Sequence, residues 1–204
     1  MSELILDSIF FHYPELEVLR GVYLEVKKAE VTCLVGRNGT GKSTLFKIAA
    51  GQLQANSGLT IINEKRLYKT SKKERFEYLA YLPQKPLLPR SLPIKDLIEN
   101  KAIQEDDFLQ QVSRNKIRNL STGECRYVEF KFVLGLNRDF LMLDEPFTGL
   151  APVMIEKMIH DLQKAKKSGK GILISDHYMR YIVEVGDSFH LLENGQIKPI
   201  PSKS

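Results

Sequence analysis

Gly36-Arg37-Asn38-Gly39-Thr40-Gly41-Lys42-Ser43-Thr44 has the form G-x-x-x-x-G-K-[ST]. The run before it, residues 31–35, is short, continuous and apolar, as a strand buried on both faces would be. Behind it a helix is expected to begin near Lys42 and to end at Gly51. Strand, glycine turn and helix together turn backbone N–H groups inward around phosphate oxygens, and the helix N-terminus adds partial positive charge. Lys42 would reach β and γ phosphates, and the Ser43 hydroxyl would face a Mg²⁺ ion. A glycine turn with a chance lysine is the bland alternative, and the strand and helix on either side argue against it. Gly36, Asn38, Gly39, Thr40, Gly41, Lys42, Ser43 and Thr44 are therefore the candidate phosphate-holding residues.

Outward from this loop, strands and helices alternate. Residues 4–13 and 18–27 read as strands, the second by its alternating Val22, Leu24 and Val26, and 59–62 and 79–82 as further strands. Pro83, Pro86, Pro89 and Pro93 then punctuate an extended stretch, short helical segments follow over 94–112, and a helix starts at Thr122. The α/β alternation resumes with a strand at 140–143, a helix opened by Pro152 and a strand at 172–175. Strands at 188–192 and 196–200 flank Asn194-Gly195, a strong hairpin signal. These readings predict an α/β fold. A mostly parallel sheet is covered by helices, with antiparallel β strands at the N-terminal end and a small helical subdomain inserted at about residues 85–135 of a single 1–204 domain.

Composition sets limits. With 204 residues, 43% hydrophobic and 27% charged, the chain fits one globular domain with a substantial core. No run approaches the roughly 18 apolar residues of a membrane span, and residues 1–11 lack the basic flank of a signal peptide, so a cytoplasmic protein is expected. Cys33 and Cys125 lie far apart without metal-binding spacing, and Cys33 reads as a core thiol. The formal net charge is +5, but Lys164, Lys166, Lys167 and Lys170 stand without interleaved aromatics. They read as solvated helix surface, compatible with anionic lipid, and no nucleic-acid partner is expected.

Downstream, the strand at 140–143 runs into Asp144-Glu145-Pro146, placing two carboxylates at a strand's C-terminal end, where ligands sit in open α/β sheets. Asp144 would bind Mg²⁺, and Glu145 would polarise the water that attacks a γ phosphate. Standing alone, such a pair is as often loop solvation.

Leu120-Ser121-Thr122-Gly123-Glu124 resembles the LSGGQ signature of ABC ATPases. The resemblance spans nearly the whole chain and implies an ATP-binding subunit of an ABC transporter with a P-loop NTPase (RecA-like) fold, ATP and Mg²⁺ as cofactors. It implies that Gln84, after its strand, serves the Mg²⁺ and attacking water, that His177 contacts the γ phosphate and orients Glu145, and that Tyr13 stacks on adenine. Ser121 and Gly123 would be offered to the γ phosphate held by a second ABC ATPase domain, in a homodimer or heterodimer. Transmembrane permease subunits would be the other partners, placing the chain peripherally on the inner face of the cell membrane. In the family a coupling helix of the membrane subunit enters beside the glutamine loop, which makes Leu87, Leu88, Leu92 and Leu97 candidates for that groove, with core packing the expected fate of most of them.

Each assignment has a structural alternative. Ser121-x-x-Glu124 is also a capping box, Gln84 could be plain surface, His177 a helix-start residue capped by Ser175 or Asp176, and Tyr13 a strand-end aromatic. Three departures from the pattern matter: Thr122 replaces the first signature glycine, Glu124 replaces glutamine, and Ala151 stands where an aspartate usually precedes the proline. Slow or partner-stimulated hydrolysis is the expectation. A soluble ABC ATPase acting on nucleic acid or the ribosome, and a P-loop kinase, are the rival readings. Residues 144–150 and 175–180 look like the branch of lipopolysaccharide-export and branched-chain amino-acid import ATPases.

Overall fold

The computed structural model describes residues 3–67, 72–97 and 106–201. Strands β1 (Glu3–Tyr13), β2 (Leu16–Lys27), β4 (Ser57–Ile62) and β5 (Lys65–Arg66) form an antiparallel sheet in the order β2-β1-β4-β5. The second sheet contains β3 (Val31–Val35), β6 (Leu79–Leu82), β7 (Phe140–Asp144), β8 (Gly171–Ser175), β9 (Ser188–Glu193) and β10 (Gln196–Ile200). Its order is β10-β9-β3-β8-β7-β6, parallel throughout except for the β9–β10 hairpin that turns at Asn194-Gly195. The helices are α1 (Lys42–Ala49), α2 (Lys72–Phe76), α3 (Asp107–Gln111), α4 (Thr122–Gly135), α5 (Pro152–Lys167) and α6 (Met179–Val185).

The continuous apolar runs are explained by burial on both faces of the parallel sheet. Leu141 and Leu143 join Val31, Cys33, Ile172 and Ile174 in a core shared with α4, α5 and α6. Phe140 and Met142 point the other way, into a core with Leu45 and Phe46 of α1 and with Leu4 and Leu6 of the antiparallel sheet. Alternation along one strand thus serves two cores. The Cys33 thiol is wholly buried, and burial, reinforced by the charge of Asp187, pushes its pKa up to about 12.

Elements β5 and α2 carry no apolar periodicity, and the sequence reading passes over them. They are anchored by Arg75, which is buried and donates to the carbonyls of Ile48 (2.8 Å) and Ala49 (2.9 Å) at the end of α1, to Thr60 Oγ1 (2.9 Å) and to the Leu67 carbonyl (3.0 Å). Helix C-terminal carbonyls lack partners within the helix, and a guanidinium can serve several at once.

After Leu82 the chain leaves the sheet and returns at Phe140 to the adjacent strand. Part of the helical reading over 94–112 falls on residues 98–105, outside the described residues. The remainder holds a 3-10 turn at Ile94–Leu97 and the short α3, and a second 3-10 turn follows beyond it at Ile117–Asn119. A buried polar cluster ties this excursion down. Lys131 Nζ lies 2.8 Å from Asp161 and 3.3 Å from Asp106, Tyr127 donates to Asp106 at 2.6 Å, and Asp106 caps α3 by accepting the Leu109 N–H. Burial pushes the Asp106 carboxyl up, but hydrogen bonds from Tyr127 and Leu109 with the Lys131 charge outweigh it and hold the pKa below the ordinary value.

Of the four leucines read as candidates for a docking groove, Leu88 and Leu97 are buried and Leu92 packs against the same core; Leu87 alone is exposed. The lysines divide similarly. Lys164 and Lys167 are exposed, whereas Lys166 pairs with Asp187 and Lys170 donates to Asn137 Oδ1 and the Arg138 carbonyl.

Candidate active site

Four neighbouring parallel strands, β3, β8, β7 and β6, end at one edge of the sheet. Their C-terminal ends carry, in that order, residues 36–44, Ser175-Asp176-His177, Asp144-Glu145 and Pro83-Gln84. Parallel strands make this convergence unavoidable, because every C-terminal end points the same way.

The glycine loop is shaped by close packing. Gly41 caps α1 with φ 105°, and a Cβ there would lie 2.8 Å from Val18 Cγ1. Thr40 Oγ1 donates to the Arg37 carbonyl at 3.0 Å, closing the turn. Lys42 is folded back across the loop, with Nζ donating to the carbonyls of Gly36 (2.7 Å) and Arg37 (3.0 Å). Burial lowers its pKa, while the charges of Glu145 and Asp144 oppose that shift. Ser43 and Thr44 are half-buried in the first turn of α1, and Asn38 and Gly39 are exposed at the loop tip. Beside the tip runs a groove of about 600 Å³, lined among others by Leu16, Val18, Asn38, Gly39 and Thr40. Tyr13 does not line it, but pairs with Leu16 across β1 and β2, is 47% exposed, and meets Phe11 edge-on at 5.0 Å.

At the end of β7, Asp144 is buried and accepts from Ser175 Oγ (3.0 Å) and Tyr81 OH (3.4 Å). Burial, then the Asp144 charge, push the Tyr81 hydroxyl well above its ordinary pKa, so it stays a donor. Glu145 faces the open site. Gln84 Nε2 donates to Glu145 Oε2 at 2.9 Å, and His177 Nδ1 lies 3.8 Å from the same oxygen, beyond hydrogen-bond reach. The sequence-predicted residues Gln84, Glu145 and His177 therefore meet at one carboxylate oxygen.

Three residues that sequence reasoning gave no role in this site hold it in place. Asp176, buried, accepts the N–H of Phe147 (2.9 Å) through Oδ2 and of Tyr178 (3.0 Å) through Oδ1, tying the loop after Glu145 to that after β8. Helix α6 has Tyr178 at its N-cap with no cap bond from the Tyr178 side chain, and of the two residues read as possible caps Asp176 reaches only the Tyr178 N–H. Ser175 bonds to Asp144 instead. The third is Arg126, buried in α4, which donates to the carbonyls of Pro83 and Asp144. A sequence signal existed for it: Arg126, Glu129 and Lys131 interrupt apolar residues on every side of that helix instead of forming one polar face.

Ser121 and Gly123 lie at the start of α4, and among the described residues no hydrogen bond or ion pair joins residues 121–124 to residues 36–44. The capping box is formed: Ser121 Oγ accepts the Glu124 N–H at 3.3 Å and Glu124 Oε2 accepts the Ser121 N–H at 2.8 Å. The Ser121 hydroxyl and backbone N–H both stabilise the Glu124 carboxylate and hold its pKa below the ordinary value. Gly123 is buried, and a Cβ there would stand 2.4 Å from the Gly149 carbonyl oxygen. Gly123 is thus required for the approach of α4 to residues 148–150. Gly123→Ala is expected to lower stability by about 1–3 kcal/mol through overpacking; an unchanged melting temperature would show that the approach is loose. Ala151 is the N-cap of α5 and supplies no side-chain bond, whereas an aspartate there could cap that helix.

A lysine-bearing glycine loop with paired carboxylates at the ends of parallel strands defines a nucleoside-triphosphate-binding protein of the P-loop NTPase fold. Residues 19–148 match the family model described as ABC transporter, and the chain belongs to that family as an ATP-binding, ATP-hydrolysing member. It is 30% identical to the lipopolysaccharide export system ATP-binding protein LptB of Acidithiobacillus ferridurans, over 97% of this chain and 89% of the relative. It is 28% identical to the xylose/arabinose import ATP-binding protein XylG of Sulfolobus acidocaldarius, over 97% and 87%. A solved ATP-binding subunit of an ABC transporter superposes with a TM-score of 0.87 at 26% identity, covering 96% of this chain and 88% of that one. Relatives named for export and for import match the same span, so what they share with this chain is the ATP-using machinery. A P-loop kinase and a soluble ABC ATPase find no support among these relatives.

Proposed function

We propose that this chain is the energy-supplying subunit of an ABC transporter, working as a dimer that holds two ATP and drives separate membrane subunits. The convergence of Gln84, Glu145 and His177 on one carboxylate oxygen, beside the Lys42 loop, carries this reading. The chain is read as one domain with a helical insertion at about residues 85–135. No helix among the described residues is long and apolar enough to cross a membrane. Membership of the ABC transporter family supports assigning the membrane-spanning part to separate permease subunits and the chain to the cytoplasmic face.

In this reading Lys42 leaves the carbonyls of Gly36 and Arg37 for phosphate oxygens, and the N–H groups of residues 36–44 surround the β phosphate. Glu145, held by the Gln84 amide, takes the proton of the water that attacks the γ phosphorus, and His177 orients both. Tyr13 offers an exposed ring to the adenine. Ser121 and the N–H groups near Gly123 serve the γ phosphate of the partner's ATP.

Asp144 and Ser43 would hold Mg²⁺. The donor set fits that ion: both offer hard oxygens, and Mg²⁺ in nucleotide sites takes one or two protein ligands plus phosphates, so the absence of any cluster of three or more His, Cys, Asp or Glu among the described residues is no obstacle. Bound there, the ion would neutralise charge on the β and γ phosphates.

The reading is tested by light scattering and phosphate release on the purified chain. ATP should convert monomer to dimer, and release of phosphate should require Mg²⁺ and stop when it is chelated. ATP turnover by a chain that stays monomeric at all concentrations would remove the shared-site reading. Co-purification with a membrane protein supports the transporter assignment, and co-purification with nucleic acid alone would replace it.

A further inference from the structure

Glu145 has φ 51°, a left-handed backbone conformation that a residue with a side chain keeps only where its surroundings hold it. Both ends of the residue are held. Its N–H donates to the Ser175 carbonyl at 2.7 Å, and its carbonyl accepts from Arg126 Nη2 at 3.2 Å. The same nitrogen donates to the Asp144 carbonyl at 2.6 Å, while Nη1 donates to the Pro83 carbonyl at 2.5 Å. One guanidinium on α4 therefore grips the main chain just before Gln84 and the main chain of both carboxylate residues.

The charge of Arg126 is answered by Glu129, one helical turn on, 3.6 Å away, with both side chains less than a tenth exposed. Glu129 also accepts the N–H groups of Leu87 (2.6 Å) and Leu88 (3.0 Å). The pair thus holds residues 83–88 from two sides, and the Gln84–Glu145 hydrogen bond closes the same two segments on the solvent side. A buried ion pair is a weak means of gaining stability, since desolvation offsets most of the attraction, whereas its directional bonds fix geometry.

We propose that Arg126, braced by Glu129, is a positioning residue for ATP hydrolysis: it holds Glu145 in its left-handed backbone conformation so that the carboxylate stays beside Gln84 and the attacking water. The proposal rests on the reading of Glu145 as the group that activates water. A lysine at 126 keeps the charge but cannot reach all three carbonyls in the planar geometry of a guanidinium.

The test compares Arg126→Lys, Glu129→Gln and Glu145→Gln with the wild type in steady-state ATPase assays, with binding of a non-hydrolysable ATP analogue and melting temperature measured alongside. Arg126→Lys is expected to lower kcat on the order of 10- to 100-fold, the scale of a small misplacement of a catalytic group, while KM and analogue affinity are unchanged. Glu129→Gln, which preserves the acceptor for Leu87 and Leu88, should lower kcat less, and the two together should be non-additive. Should Arg126→Lys not fold, Glu129→Gln carries the same comparison. A folded variant with unchanged kcat, or one in which kcat and analogue affinity fall together with melting temperature, would overturn the proposal. If Glu145→Gln keeps wild-type turnover, the reading of Glu145 itself is what fails; if Glu145→Gln is inactive and Arg126→Lys fully active, only the positioning role fails.

Discussion

Glu145→Gln is expected to bind ATP as the wild type does and to hydrolyse it on the order of 100-fold more slowly or worse, the scale lost when a general base is removed. The substitution is nearly isosteric. The backbone contacts of residue 145 to Ser175 and Arg126 do not involve the carboxylate, and the Gln84 amide can still donate to the remaining side-chain oxygen. What disappears is the ability to accept a proton from water. With ATP bound and not consumed, the dimer should persist, so phosphate release and light scattering should move in opposite directions. If the variant neither slows turnover nor accumulates dimer in Mg·ATP, Glu145 is not the residue that activates water.

Removing the Lys42 ammonium acts one step earlier. Lys42 is buried to 8% exposure beside Asp144 and Glu145, and its two hydrogen-bond partners are main-chain carbonyls of its own loop. A phosphate is a better partner than a carbonyl for a cation, because donor and acceptor are then both charged, and a hydrogen bond to a charged group contributes about 1.5–3 kcal/mol. Lys42→Ala should therefore weaken ATP binding by roughly 10- to 150-fold, measured by calorimetric titration, and turnover should vanish with it at ordinary ATP concentrations. Retained affinity would mean that the backbone N–H groups and α1 suffice to hold the phosphates. Lys42→Ala is thus a defect in binding and Glu145→Gln a defect in chemistry, and measuring both separates the two halves of the site.

Much of this was legible because local chemistry dictates it. A glycine loop between a buried strand and a helix must have Gly41 at left-handed φ and Lys42 at the helix start, and the apolar runs at β3, β6, β7 and β8 lie within a residue of where their composition places them. The hairpin at Asn194-Gly195 likewise follows from residues that tolerate positive φ, observed at 50° and 76°. By contrast β5 and α2 carry no apolar periodicity, with Phe76 their one apolar residue, and persist because Arg75, far from α1 in sequence, completes that helix's last carbonyls. A long-range cap has no local signature.

The amino-acid sequence by itself determined which side chains are available for phosphate chemistry and on which strand ends they sit, since turn geometry and strand burial depend on neighbouring residues. Only the tertiary structure decided how those ends are held: Gln84 against Glu145, Asp176 across two loops, Arg126 under both carboxylates, and Gly123 pressed onto the Gly149 carbonyl. Each of these joins segments at least 18 residues apart. Such contacts follow from the parallel order β3-β8-β7-β6 and the packing of α4 beneath it, which no local pattern encodes.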